Sequence, residues 1–165
     1  MNLPPYKTFP KISNERILLR EVQPSDMSDI MEISFYDAIQ ARTESEAQQM
    51  QDKINLDYLN GDSIHWGIVD KRTNEIVGTC GYYRGFENES GELGCILLPE
   101  FCGQGYMSAV MQLAVDFGFI NIGLQTIWAA TDQNNKQSIK LLTRLGFKKT
   151  SEKDNGELVF ELKPL

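Results

Sequence analysis

The residues with the clearest chemical potential lie in the segment Leu98–Ser108, which reads LPEFCGQGYMS. This segment follows an apolar, strand-like run, and it leads into a long amphipathic run that begins at Tyr106. A Gly-x-Gly turn that opens a helix after a strand leaves backbone N–H groups free, and the helix dipole adds roughly half a positive charge there. Phosphate is the usual ligand of such an end. The sequence therefore predicts a phosphorylated ligand beside Gly103 and Gly105.

The turn differs from two well-known phosphate-binding fingerprints. A Walker loop has Lys followed by Ser or Thr after its second glycine, where this chain has Tyr106 and Met107. A dinucleotide fingerprint has a third glycine, and Ser108 takes that place. The spacing of the two glycines alone therefore does not identify the phosphorylated molecule.

Composition narrows the class of partner. The chain has 165 residues and a formal net charge of −7, so we expect no nucleic acid partner. The uncharged stretch Phe117–Ala130 is too short and too interrupted to cross a bilayer, so we expect no membrane association. An acidic surface serves solubility and also suits a cationic substrate such as an amine.

The cysteines indicate a reducing environment. Cys80, Cys95 and Cys102 cannot all pair with one another, and their spacing is not that of metal ligands. We therefore expect free thiols, no metal and a cytoplasmic location.

A second motif lies downstream, where Asn135-Lys-Gln-Ser138 is followed by Leu145-Gly146-Phe147. Together with the Gly-x-Gly turn it resembles the GNAT N-acetyltransferase superfamily. That family has a pyrophosphate loop of the form Gln/Arg-x-x-Gly-x-Gly/Ala and a later helix with Asn-x-x-Ser that ends in Leu-Gly-Phe. The N-terminal run Arg16–Arg20 and the Pro-Ser-Asp that follows resemble the branch of ribosomal-protein N-terminal acetyltransferases. The resemblance extends over about residues 14–161.

Three positions depart from the expected patterns. Glu100 stands at the first position of the loop motif, where the superfamily often has Gln or Arg, although Glu is common in this branch. Cys102 stands where the branch usually has Trp, and Ala109 stands where it usually has Glu. These departures bear on the identity of the acceptor more than on the donor site.

The resemblance implies acetyl-CoA as co-substrate and a primary amine, on a small molecule or a protein N-terminus, as acceptor. It implies that backbone N–H groups of the loop hold the pyrophosphate, namely those of Gly103, Gln104, Gly105, Tyr106, Met107 and Ser108. It implies that a strand splayed from its neighbour pairs with the pantetheine amides through Cys95, Ile96, Leu97 and Leu98. Asn135 is expected to cap a helix and to touch the CoA arm, and a homodimer is compatible with the family.

Amide formation needs a base for the amine and a hydrogen bond for the leaving thiolate. By resemblance, Glu92 is the candidate base, acting directly or through water. His65, the single histidine, is the rival base. Ser138 matches the serine of Asn-x-x-Ser and is the candidate donor to the thiolate, although a role limited to the helix cap is the alternative.

Other assignments stay open at this stage. Cys102, near a helix N-terminus, is a conceivable acyl-enzyme nucleophile, whereas the family transfers the acetyl group directly. Aromatic residues are candidates to line the acceptor side or simply to fill the core; these are Phe35, Tyr36, Tyr82 and Tyr83. The alternative functions are a CoA-binding sensor or interaction module without turnover, and an enzyme that uses a longer acyl-CoA.

These residues must be positioned by an α/β fold, which we read from the hydrophobic periodicity. We expect one N-acetyltransferase domain over residues 1–165, with its core between about residues 14 and 162. The predicted order is β-α-α-β-β-β-α-β-α-β-β, in a mixed, mostly antiparallel sheet with helices on both faces. The helix caps are predicted at Ser25 or Asp26, at Thr43 with Glu46 as a capping box, and at Asn134 or Asn135. An apolar stripe is predicted on the third helix at Val110, Leu113, Ala114, Phe117 and Ile120.

Overall fold

The computed structural model describes all 165 residues and has ten strands and four α-helices. In chain order the elements are β1 (Ile12–Ser13), β2 (Ile17–Glu21), α1 (Met27–Ile30), β3 (Phe35–Tyr36), β4 (Ile39–Gln40), α2 (Glu44–Leu59), β5 (Ile64–Asp70), β6 (Ile76–Tyr83), β7 (Ser90–Leu97), α3 (Tyr106–Phe117), β8 (Thr126–Asp132), α4 (Lys136–Arg144), β9 (Lys148–Glu152) and β10 (Glu157–Leu162). None of the helices is both long and apolar enough to traverse a lipid bilayer.

Eight of the strands form one sheet in the order β1-β2-β5-β6-β7-β8-β10-β9. Every neighbouring pair is antiparallel except β7 and β8, which run parallel. The predicted fold class, a single α/β domain with a mixed and mostly antiparallel sheet, is confirmed.

Helices cover both faces of this sheet. On one face, α3 packs Val110 and Ala114 into a cluster of 25 buried residues that includes Trp66 of β5. On the other face, Ile30 of α1 and Ala47 of α2 belong to a cluster of nine buried residues. The strands contribute side chains to both clusters, because successive side chains of a strand point to opposite faces of the sheet.

The apolar stripe of α3 is correct up to Phe117 and wrong at Ile120, whose side chain is 79% exposed. The α-helix ends at Phe117 and continues as one π-helical turn over Gly118–Ile122. A wider turn shifts the helical phase, so Ile122 takes the buried place instead.

The segment between β2 and α2 differs most from expectation. In place of one helix, the structure has a short α1 between two 3-10 turns, followed by a hairpin of β3 and β4. The predicted side-chain cap is also displaced. The carboxylate of Asp26 accepts from the Gln23 N–H at 2.7 Å and pairs with Arg20, so the chain is already helical at Pro24.

The caps of the longer helices agree with the sequence. Thr43 Oγ1 accepts from the Glu46 N–H at 3.1 Å, although the Glu46 carboxylate accepts from Arg42 N–H and not from Thr43. Asn135 Oδ1 accepts from the Ser138 N–H at the start of α4. Gly146, with a φ of 93°, ends that helix in the left-handed conformation typical of a helix C-terminus.

Candidate active site

The site is organised by a gap between β7 and β8. These parallel strands pair over only three residues, from Ser90 opposite Thr126 to Glu92 opposite Trp128. β7 then continues to Leu97 and β8 to Asp132 without further pairing between them. The strands therefore splay apart beyond Glu92, as the family resemblance implies, and leave backbone groups of β7 without a strand partner.

The register decides which β7 residues face the splay. Leu98 N–H donates to the Val77 carbonyl of β6 at 2.9 Å, and the Leu98 carbonyl accepts from Phe101 N–H. Because hydrogen-bonding direction alternates along an antiparallel pair, Ile96 also faces β6, whereas Cys95 and Leu97 turn their N–H and C=O groups toward the splay. Of the four strand residues predicted to pair with a ligand, two are therefore placed to do so through the backbone.

The side chain of Cys95 is not part of this surface. Its Sγ contacts Cys80 and Met111 on the face that α3 covers. All three cysteines are free thiols.

The start of α3 lies just beyond the end of β7 and has no side-chain cap. Six consecutive backbone N–H groups, from Gly103 to Ser108, donate to no acceptor within the protein. Gly103 and Gly105 have φ values of 76° and 81°, a conformation that disfavours any residue with a Cβ. A Cβ would meet nothing at Gly103 and only Arg16 at Gly105, so backbone conformation, not space, requires these glycines.

Two arginines flank this loop, and sequence reasoning assigned neither of them to it. Arg16 donates to the Gln104 carbonyl at 2.7 Å and stacks on the Tyr106 ring, 3.9 Å from its centroid. Arg144 of α4 donates to Ser108 Oγ at 2.5 Å. These arginines place two positive charges beside N–H groups that already favour an anion.

The side chains of the loop face away from a ligand or hold the loop in shape. Gln104 Nε2 donates to the Glu100 carbonyl at 2.9 Å. The Tyr106 ring is buried and its hydroxyl donates to Asp70, which lowers the pKa of that carboxyl. Met107 packs against the large core cluster. The contribution of Tyr106 and Met107 to an anion site is therefore limited to their N–H groups.

A cavity of about 900 Å³ lies on the opposite face of the sheet, under α1 and α2. Phe35, Tyr36 and Tyr83 line it, together with Gly94, Cys95 and Ile96 of β7. Tyr82 does not line this cavity, so of its two interpretations the one on the acceptor side is wrong. It is fully buried on the α3 face, where its hydroxyl donates to the Ala114 carbonyl, because neighbouring strand residues point to opposite faces.

His65 and Tyr83 form the floor of this cavity. His65 Nδ1 and Tyr83 Oη share a hydrogen bond of 2.8 Å. The Tyr83 ring lies over Gly81 and Gly94, where an added Cβ would come within 3.0 and 3.1 Å of ring atoms. Burial lowers the pKa of His65 to about 4, so the imidazole is neutral near pH 7.

Glu92 stands next to Tyr83 across β6 and β7, at the closed end of the splay. It lines a second cavity of about 450 Å³ beside Trp128, not the large one. Both carboxylate oxygens accept from Arg84 at 3.0 Å. Burial raises the pKa of Glu92 above its ordinary 4.5, an effect that Arg84 and Lys153 only partly oppose.

Ser138 and Asn135 lie at the start of α4, beyond the other end of β8. The Ser138 N–H is taken by the Asn135 cap, whereas Ser138 Oγ makes no hydrogen bond within the protein. Asp132 lies four residue positions beyond Trp128, which pairs with Glu92, so the two are about 13 Å apart along β8. The two candidate catalytic residues therefore sit at different ends of the splay and not as a contacting pair.

Comparisons with known proteins agree with this geometry. Residues 16–148 match the family model described as the acetyltransferase (GNAT) domain. The N-acetyltransferase p20 of Bacillus licheniformis, itself uncharacterized, is 33% identical over 159 residues, which cover 88% of this chain and 89% of that protein.

Solved structures with the same fold include two enzymes of different stated substrates. A ribosomal-protein-S5-alanine acetyltransferase from Vibrio fischeri has a TM-score of 0.76 at 22% identity, covering 93% of this chain and 96% of that one. A dodecameric spermidine N-acetyltransferase from Vibrio cholerae has a TM-score of 0.76 at 17% identity, covering 91% and 95%. At these identities the likeness establishes the fold, and the family model adds the chemistry: the chain belongs to the GNAT acetyltransferase family and is an N-acetyltransferase.

Proposed function

We propose that this protein transfers an acetyl group from acetyl-CoA to a primary amine directly, within a ternary complex. One observation carries the proposal. Six unpartnered N–H groups lie beside the splay between β7 and β8, and β7 also lines the large cavity on the opposite face of the sheet. A donor bound on one side can thus reach an acceptor held on the other.

In this proposal the N–H groups from Gly103 to Ser108 hold the pyrophosphate, and Arg144 adds a charged hydrogen bond. The pantetheine lies in the splay as an added strand, paired to Cys95 and Leu97. Ile96 and Leu98 pair with β6 and so hold β7 in place. Asn135 serves first as the cap of α4.

Glu92 is the proposed base, because its pKa moves toward neutrality whereas that of His65 moves away from it. The Arg84 side chain is 65% exposed. Because Arg84 lies largely in solvent, it can move away from Glu92 when an ammonium proton must be accepted, although only 15% of the Glu92 side chain is exposed. His65, bonded to Tyr83, then holds the cavity floor.

Ser138 is the proposed hydrogen-bond donor to the departing thiolate. A hydroxyl is a weak acid beside a thiol of pKa about 8.5, so Ser138 donates a hydrogen bond and keeps its proton. Its free Oγ supports this role, and its position at the open end of the splay separates it from the base.

The acceptor is a small amine or a protein N-terminus, in line with the stated substrates of the relatives. The spermidine and ribosomal-protein acetyltransferases named above share the fold. A homodimer is part of the proposal as well, and light scattering on the purified protein tests it.

Calorimetric titration with acetyl-CoA, joined to a CoA-release screen over amines and N-terminal peptides, tests the proposal. We expect saturable binding and release that depends on an amine. Tight binding without release on any acceptor would establish the alternative, a CoA-binding module without turnover. If CoA is released only when the donor is a longer acyl-CoA, the transferred group is that longer acyl group and not acetyl.

The role of Glu92 has its own test. Glu92→Gln is expected to lower kcat/KM by about 100-fold, whereas Glu161→Gln, which lines the same cavity, is the matched control. Because only ionised Glu92 accepts a proton, wild-type kcat/KM should fall as the pH drops through a value above 4.5. A profile that Glu92→Gln leaves unchanged in shape would remove Glu92 as the base.

A further inference from the structure

The loop that carries the six free N–H groups has few contacts of its own. Gln104 is exposed, and an added Cβ at Gly103 would meet no atom within 4 Å. Glycine has the widest conformational freedom of any residue, so a loop with two glycines loses more entropy than most when a ligand orders it. Binding is tighter when that entropy is lost during folding instead. The contacts that fix the loop in the free protein therefore bear on the affinity for CoA.

Tyr106, the first residue of α3, joins this loop to the body of the protein. Its side chain is 3% exposed, and its hydroxyl donates to Asp70 at the end of β5. The Arg16 guanidinium lies 3.9 Å from the centroid of the Tyr106 ring, and the Phe101 ring packs edge-on at 6.0 Å. Because Tyr106 directly follows Gly105, these three contacts fix the direction in which the loop enters the helix.

Arg16 and Asp70 are held by neighbouring strands of the sheet. Arg16 precedes β2 and Asp70 ends β5, and these two strands pair with each other. The Arg16 carbonyl accepts from the N–H of Lys71, the residue after Asp70, at 2.9 Å. The Arg16 side chain also donates to the Gln104 carbonyl at 2.7 Å. The sheet thus holds the loop at two points, the Gln104 carbonyl and the Tyr106 side chain.

The carboxylate of Asp70 is buried without an ion pair. Asp70 is 1% exposed, and none of the four salt bridges of the protein includes it. Burial of a charge is costly unless hydrogen bonds compensate it, and here the Tyr106 hydroxyl and the Arg72 N–H donate to the carboxylate. These bonds lower the pKa of Asp70 below its ordinary 3.8, so the carboxylate is charged at neutral pH. A charged acceptor makes the stronger hydrogen bond to Tyr106.

We infer that Asp70, Tyr106 and Arg16, called here the loop clamp, position the N–H groups of the loop for CoA before CoA binds. The three side chains act through the loop backbone, so Asp70 and Arg16 are positioning residues and not catalytic ones. This inference rests on the proposed function and deepens its donor site. It makes the affinity for CoA depend on a buried carboxylate 36 residues before Tyr106 in the chain.

Tyr106→Phe tests the loop clamp, with Tyr82→Phe as the matched control. Both tyrosines are buried, and the Tyr82 hydroxyl donates to the Ala114 carbonyl farther along α3. Each change deletes one buried hydrogen bond that involves α3 and should lower the melting temperature by about 2–4 °C. Only Tyr106→Phe should raise the dissociation constant of CoA, by about tenfold. Its kcat at saturating acetyl-CoA should stay within about twofold of wild type, because the clamp acts on binding.

Calorimetry and steady-state kinetics measure these quantities. Equal dissociation constants for the two variants would overturn the inference and leave the acetyltransferase function intact. Failure of the wild-type protein to bind CoA would instead count against the function itself.

The loop clamp has a second consequence that needs no ligand. The order parameters of the Gly103 and Gly105 amides, measured by NMR relaxation on the ligand-free protein, should fall in Tyr106→Phe and stay unchanged in Tyr82→Phe. Unchanged order parameters in Tyr106→Phe would show that the loop is fixed without the clamp and would refute the inference.

A double variant tests whether Asp70 acts through Tyr106. When Asp70→Asn is added to Tyr106→Phe, the affinity for CoA should change by less than about twofold, because the hydroxyl that links Asp70 to the loop is already absent. An additional loss as large as that of Tyr106→Phe would show that Asp70 affects CoA by another route, and would remove it from the loop clamp.

Arg16→Lys separates position from charge. Lysine keeps the positive charge beside the loop but lacks the planar group that stacks on Tyr106 while it donates to the Gln104 carbonyl. We expect the dissociation constant of CoA to rise about fivefold, with an unchanged dependence on salt. Arg72→Lys, at an exposed arginine of the turn after β5, is the matched control and should change neither quantity. Wild-type affinity in Arg16→Lys would show that Arg16 contributes only its charge and would exclude it from the loop clamp.

Discussion

The two helices that flank the splay begin in opposite ways. At α4, Asn135 caps the helix, and both its side chain and its carbonyl accept N–H groups of the first turn. At α3 the cap position is Gly105, in the left-handed conformation, and no side chain accepts from the turn. Both starts carry a family motif, yet only α3 leaves a row of N–H groups for an external anion. A motif at a helix start therefore indicates a ligand only where no side chain of the protein caps the helix.

The largest effect is expected for Gly105→Ala, with Gly146→Ala at the end of α4 as its matched control. Both glycines have positive φ, 81° and 93°, so each alanine should lower the free energy of unfolding by about 1–2 kcal/mol. Only Gly105→Ala should weaken CoA binding, on the order of 100-fold, because relief of the strain turns N–H groups of the loop away. Calorimetry measures the affinity for CoA, and thermal unfolding measures the stability. Equal losses of affinity in the two variants would show that the start of α3 has no specific role in CoA binding.

The next effect is expected at Arg144, which joins the two helices by its bond to Ser108. Arg144→Gln should raise the dissociation constant of CoA about tenfold and reduce its dependence on salt, since one charged contact to phosphate is lost. Lys148→Gln removes a charge from exposed β9 and should do neither. If the two variants behave alike, Arg144 acts through net charge only.

A smaller effect on the rate is expected at the start of α4. Ser138→Ala should lower kcat about fivefold, by loss of one hydrogen bond to the developing thiolate. Its melting temperature and CoA affinity should stay unchanged, because Oγ has no partner within the protein. If kcat, measured by CoA release, is unchanged, Ser138 does not assist the departing thiolate and its role is limited to the helix cap.

The smallest functional effect is expected for Asn135→Ala, compared with Thr43→Ala at α2. Each change removes one cap and should cost about 1 kcal/mol of stability. For a chain of this size that corresponds to a fall of about 2–4 °C in melting temperature. CoA affinity should change less than twofold in both. A tenfold loss confined to Asn135→Ala would show that the cap of α4 also contributes to CoA binding and would narrow the contrast with α3.

Local chemistry explains why much of the fold was predictable. Thr43, Asn135 and Gly146 act within one turn of their own position, so their neighbours in sequence specify the helix ends. The strands after residue 60 were predicted for the same reason, because alternation and turn residues are local signals.

Prediction was least accurate where the local signal is weak or where distant contacts override it. The segment from Gln23 to Gln40 has short elements, and its helix is interrupted at Ile30, whose φ of −110° and ψ of 10° depart from α-helical values. Its start is fixed by the Asp26 carboxylate, which accepts from Gln23 N–H and pairs with the distant Arg20. Ile120 was misplaced because the π-helical turn changes the phase of the stripe. Tyr82 and Tyr83 could not be assigned to faces until the register was known.

The sequence by itself determined the Gly-x-Gly turn, the caps of α2 and α4 and the family, since each depends on residues close along the chain. Only the tertiary structure decided where β7 and β8 part, which β7 amides face the gap, and that Arg16 and Arg144 meet at the loop. These features join residues far apart in the chain, and strand pairing and burial, which no local pattern encodes, bring them together.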